Sequence, residues 1–126
     1  MSSALLTPSE LASRLDSIPR IRLAHLPTPL DECPRLSEML GGPRIFIKRD
    51  DMTGLAFGGN KTRQLEFLLA EVLTQKIDVL VAGAFTQSNW CRQITAASRK
   101  LGIDVSLILA HGEKGPKRQG NLLLDN

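Results

Sequence analysis

The chain has 126 residues, enough for one ordinary domain with a buried core. A hydrophobic content of 42% with 23% charged residues excludes a disordered chain, and no apolar run approaches the length of a bilayer span. The net charge of +3 is scattered, with no basic stripe, and aromatics are only 4%, so neither a nucleic acid nor a membrane is expected as a partner.

Met1-Ser-Ser-Ala lacks the charged start and long apolar stretch of a secretory signal. Two cysteines, Cys33 and Cys91, are read as reduced thiols of a cytoplasmic protein. Thr7-Pro8-Ser9-Glu10 is a capping box with proline at the first helical position, so a short helix carrying Leu11 and Leu15 is expected to about Ser17. Pro19 stops it, and Arg20 to Leu23 is read as extended. The prolines of Leu26-Pro27-Thr28-Pro29-Leu30 exclude a helix there. A second short helix starts at Pro34, carries Leu36, Met39 and Leu40, and ends at Gly41-Gly42.

Arg44 to Lys48 reads as a strand, Arg49 to Gly59 as a loop, and Lys61 to Lys76 as a helix with Leu65, Leu68, Leu69, Val72 and Leu73 at helical spacing. The run Asp78 to Ala84 resembles a strand buried on both faces. A helix from Ser88 to Leu101, capped by Ser88 and closed by Gly102, is followed by a strand at Ile103 to Ala110. His111 to Gln119 is a polar loop, and Gly120 to Asn126 starts a further helix. This alternation predicts an α/β fold, a three-layer parallel sheet with helices on both faces. Three such strands leave open edges, so the chain reads as a fragment or truncated product rather than a complete domain. Ligands in these sheets sit beyond the carboxyl ends of the strands, where the loops Asp50–Lys61 and Ala84–Asn89 would share a site.

The sharpest segment is Gly58-Gly59-Asn60-Lys61-Thr62-Arg63. Paired glycines allow close backbone approach, and Asn60 is expected to cap the helix that Lys61 opens. An ammonium is misplaced there, because the helix dipole favours anions; the dipole and Arg63 together favour the neutral amine needed to condense with an aldehyde. A glycine-rich turn before a helix with an exposed lysine is an equal reading on chemistry alone. The spacing also approaches a nucleotide-binding P-loop, but Asn60 intrudes between glycine and lysine. Gln87-Ser88-Asn89 stands at a strand-to-helix turn suited to a carboxylate, or serves only as a serine cap. Asp50-Asp51 after Lys48-Arg49 reads as an ion-paired turn, and Cys91 as packing. Trp90 covers a ligand or fills core. His25 and His111 lie apart, so no metal site is assigned.

Together, Leu26 to Leu30, Ile47 to Asp51, Gly58 to Arg63 with Leu65 to Leu68, and Gln87 to Asn89 with Arg92-Gln93 resemble the D-cysteine desulfhydrase and 1-aminocyclopropane-1-carboxylate deaminase family. These are pyridoxal-phosphate enzymes of tryptophan-synthase-β-like fold (fold type II), and the resemblance runs from about Leu26 to Asn126. It implies that Lys61 is the Schiff-base lysine and the base for the Cα proton. It also implies that Asn60 positions lysine and cofactor, that Asn89 bonds the cofactor's 3′ oxygen, and that Ser88 holds the substrate carboxylate beside Asn89 and Trp90. In the deaminase branch Ser88 would be nucleophile or proton carrier.

The resemblance further implies that residues 1–49 belong to the larger cofactor domain and 50–126 to the first part of the smaller open α/β domain. The phosphate loop and pyridine partner would lie in the remainder, and the full-length enzyme would be a cytoplasmic homodimer. The 126-residue chain alone is therefore expected to bind the cofactor weakly and to be inactive. Gln64 and Trp90 depart from the family's usual Lys and His or Gln. A catalytically silent truncated member, or an L-cysteate sulfo-lyase suggested by Thr53-Gly54-Leu55-Ala56, are the alternatives.

Overall fold

The computed structural model describes residues 5–112 and 117–125. In chain order it contains α1 (Pro8–Asp16), β1 (Leu30–Glu32), α2 (Pro34–Leu40), β2 (Phe46–Lys48), α3 (Lys61–Thr74), β3 (Val79–Phe85), α4 (Asn89–Lys100), β4 (Asp104–Ala110) and α5 (Asn121–Leu124). Two 3-10 turns, Asp50–Thr53 and Leu55–Phe57, fill the loop before α3. Residues 113–116 of the expected polar loop, residues 1–4 and residue 126 lie outside the described residues.

Local signals act where expected. Thr7 and Glu10 close the capping box of α1 in both directions, yet α1 buries no residue, and Leu11 and Leu15 stay exposed. Gly41 ends α2 in the left-handed conformation at φ 58°. Ser88 Oγ accepts from the N–H groups of Trp90 and Cys91, capping α4.

The sheet departs from expectation. β3 and β4 pair in parallel from Val79 opposite Asp104 to Phe85 opposite Ala110. The strand expected at Arg44–Lys48 does not join them. It shortens to β2 and pairs antiparallel with β1, a strand the sequence reading missed. Two exposed ion pairs flank this ladder: Arg44 reaches Glu32 at 2.6 Å and Arg49 reaches Asp31 at 2.9 Å. The described residues thus contain two two-stranded sheets where one three-stranded parallel sheet was expected.

Nor is β3 buried on both faces. Leu80, Ala82 and Ala84 turn inward, whereas Val79, Val81 and Phe85 are exposed, as is Ile108 of β4. The covered face packs against α4, and α3 packs against α4. Leu65, Leu69 and Val72 of α3, Ala82 of β3, and Ile94 and Ala97 of α4 meet with Leu23 and Ile103 in one core. Burying the leucine, isoleucine and valine side chains supplies about 1.5–3 kcal/mol each, which holds α3 and α4 together.

Candidate active site

Lys61 is the first residue of α3 and is half-buried. The two glycines before it are required by what they touch. A Cβ on Gly58 would stand 1.8 Å from the Asp51 carbonyl oxygen, and φ there is 74°. A Cβ on Gly59 would stand 2.3 Å from Gln93 Nε2, and φ there is 134°. Only glycine meets both demands. Ala56 and Phe57 also have positive φ, of 45° and 66°. Buried Thr53 secures the bend: its Oγ1 accepts from Gly59 N–H at 2.9 Å and lies 2.9 Å from Gly59 O and 3.0 Å from Asp50 O, to either of which it can donate.

Two expectations about this segment change. Asn60 precedes α3, but its backbone is helical and its side chain makes no capping bond. The cap comes from another helix: Gln93 Oε1 of α4 accepts from Thr62 N–H at 2.8 Å and from Thr62 Oγ1 at 2.7 Å. Arg63, expected to press on the lysine, spends its charge on Asp50, with Nη2 at 2.7 Å from Oδ1 and Nε at 2.9 Å from Oδ2. That guanidinium holds the Asp50 carboxyl below the usual carboxylate range, against the opposing effect of burial. Arg49 grips Asp51 at 2.7 Å, the ion-paired turn expected there.

The Ser88 turn lies beside this loop. One nitrogen of Arg92, Nη2, donates to Gly58 O at 3.2 Å and to Asn89 Oδ1 at 3.3 Å, bridging the glycines to Asn89. Asn89 Oδ1 also accepts from Asn121 Nδ2 at 2.9 Å. Ser88 Oγ accepts from two N–H groups, which leaves its hydroxyl proton as the group it can donate. Trp90 is half-buried and packs against the core. Cys91 is fully buried, and burial pushes its thiol upward, as suits packing.

The structure therefore brings the loop before Lys61, Ser88 and Asn89 to one region. The sequence reading missed Gln93, Arg92 and Thr53 as its supports. A signal existed for Gln93: it interrupts the buried face of α4 formed by Cys91, Ile94, Ala97 and Ser98.

A D-cysteine desulfhydrase of Klebsiella pneumoniae (strain 342) is 46% identical over 114 residues, spanning 87% of this chain and 34% of that protein. A D-cysteine desulfhydrase of Salmonella paratyphi B is 47% identical over 95 residues, spanning 75% of this chain and 29% of that protein. The chain thus spans about a third of the length of the curated relatives it matches. A crystal structure of an ACC deaminase homologue superimposes with a TM-score of 0.84 at 38% identity, over 95% of this chain and 35% of that one. The family profile described as "Pyridoxal-phosphate dependent enzyme" matches residues 21–125. The chain belongs to the pyridoxal-phosphate dependent enzyme family.

Proposed function

We propose that the full-length protein is a pyridoxal-phosphate-dependent lyase acting on a small amino acid, with D-cysteine as first substrate and 1-aminocyclopropane-1-carboxylate as second. The observation that carries this is a lysine at the head of α3, in a glycine bend braced by Thr53, Arg92 and Gln93, in a chain similar to D-cysteine desulfhydrases.

The donor set suits the cofactor. Lys61 offers the amine that would hold its aldehyde. Asn89 has its Oδ1 fixed by Arg92 and Asn121, which leaves the amide N–H₂ to donate to a ring oxygen. When bound, pyridoxal phosphate supplies an electron sink for negative charge at the substrate Cα. The rest falls to the chain's own residues. Lys61 Nζ takes the Cα proton and can pass it to the departing sulfur, the Ser88 hydroxyl donates to the substrate carboxylate, Asn60 helps position Lys61, and Trp90 borders the carboxylate position. For D-cysteine the balance is one water consumed, with pyruvate, ammonia and hydrogen sulfide released.

Residues 1–49 belong to the larger cofactor domain and 50–126 to the smaller one, in a full-length cytoplasmic homodimer whose β3–β4 pair extends into a three-layer parallel sheet of fold type II. The two free thiols suit a reducing cytoplasm. The test is turnover by purified full-length protein: D-cysteine should yield sulfide and pyruvate in equal amounts, and Lys61→Ala should yield neither. Neither product from the unaltered protein with cofactor bound would defeat the desulfhydrase reading. Faster turnover of cysteate or the cyclopropane acid would reassign the substrate.

A further inference from the structure

We infer that Gln93 is a positioning residue for Lys61, its carboxamide setting the head of α3 from across the helix pair. The inference rests on the reading that Lys61 bonds an aldehyde.

The first turn of any helix leaves backbone N–H groups without intrahelical partners, and a side chain just ahead of the helix usually takes one. In α3 the residue placed for that task, Asn60, makes no such bond. Gln93 takes its place and bonds the N–H of Thr62, the residue next to Lys61, and the Thr62 hydroxyl as well. Gln93 and Thr62 are both fully buried, so no water competes for these bonds.

The other end of the same carboxamide is more telling. Gln93 Nε2 is buried without a hydrogen-bond partner among the described residues, and it fills the space a Cβ on Gly59 would need. An apolar side chain of similar length would fill that space without stranding an N–H₂ group, so packing alone does not account for glutamine here. Its oxygen does: it holds the Thr62 N–H, while its nitrogen takes up the space beside Gly59 in the bend that delivers Lys61. Because α4 begins at the Ser88 turn, Gln93 also fixes the lysine helix relative to Ser88 and Asn89. Placement errors of about 1 Å cost on the order of 100-fold in rate, which is the scale on which such a brace acts.

The experiment uses full-length protein freed of cofactor, then exposed to pyridoxal phosphate and trapped with borohydride at timed intervals. Peptide mapping gives the labelling rate at Lys61, with a surface lysine, Lys100, as internal reference. Gln93→Met should slow labelling of Lys61 by about tenfold or more while Lys100 is unchanged, and Gln93→Glu, which keeps acceptor oxygens, should recover most of the rate. A second measurement needs no variant: the Thr62 amide of the unaltered protein should exchange its hydrogen slowly. Equal Lys61 labelling in Gln93→Met, or rapid exchange at Thr62, overturns the role of Gln93 and leaves the lysine reading intact. No label on Lys61 of the unaltered protein overturns both.

Discussion

Glu66 offers the sharpest test of how the segment before β1 is held. Its side chain is 1% exposed on α3. Oε1 accepts from Leu23 N–H at 2.8 Å and Ala24 N–H at 2.7 Å, and Oε2 accepts from Arg20. Glu66→Ala strands two buried N–H groups, each costing about 1–3 kcal/mol, so a loss of about 2–6 kcal/mol is expected. Glu66→Gln keeps Oε1 as acceptor for both N–H groups but turns an N–H₂ donor toward the Arg20 guanidinium, so the charge-assisted bonds to Arg20 are lost, at a cost of about 1–2 kcal/mol. Arg20 is 43% exposed, so its pair with Glu66 contributes at most about 1 kcal/mol, and Arg20→Ala should cost least.

The pH dependence follows from the same contacts. Burial alone would raise the Glu66 pKa; the N–H groups of Ala24 and Leu23 and the Arg20 guanidinium outweigh it and hold the pKa below its ordinary value of 4.5. A pKa depressed by folding contributes stability above pH 4.5 that is lost as the pH falls through the folded value. Equilibrium urea unfolding from pH 7 downward should therefore show the gap between the unaltered protein and Glu66→Gln closing below about pH 4.5. A gap that stays constant with pH, or a Gln variant as unstable as the Ala variant, would refute the reasoning.

Gly58→Ala forces a Cβ to 1.8 Å from the Asp51 carbonyl at positive φ, so the bend must open. A stability loss above about 2 kcal/mol and a suppressed Lys61 labelling rate are expected by urea unfolding and borohydride trapping. Ser88→Ala removes the α4 cap and should cost about 1 kcal/mol, whereas Ser88→Gly should cost only a few tenths. Equal loss of carboxylate-substrate affinity in both variants would separate substrate binding from capping. Cys33 is half-buried and Cys91 fully buried with a raised thiol pKa, so a thiol reagent at neutral pH should modify Cys33 first and Cys91 only on unfolding.

Helices were legible because their signals are local. Thr7-Pro8-Ser9-Glu10, Pro34 with Gly41, and Ser88 with Gly102 each determine a boundary through contacts within a few residues. Pairing of short strands was not. β1 and β2 are three residues long and exposed throughout, so they carry no alternation to read, and the residues they contact lie 12 and 18 positions apart, as Arg44 with Glu32 and Arg49 with Asp31 do.

The Lys61 segment was visible as a pattern of glycine, asparagine and lysine, but its supports were not. A cap that arrives from 31 residues away, as Gln93 does for Thr62, leaves no trace in spacing. Helix caps are usually adjacent in sequence, and Asn60 occupies that position without making the bond. Likewise Arg63 near Lys61 in sequence looked like an electrostatic neighbour, until Asp50, 13 residues earlier, engaged it.

The uncovered side of the β3–β4 pair has a practical corollary. Val79, Val81, Phe85 and Ile108 are between 53% and 70% exposed, four apolar side chains on one side of the pair. Solutions of the chain by itself will turn cloudy on concentration, and more readily on warming, since apolar association strengthens with temperature. Replacing Val81 and Ile108 with threonine keeps the strand geometry and should clear them.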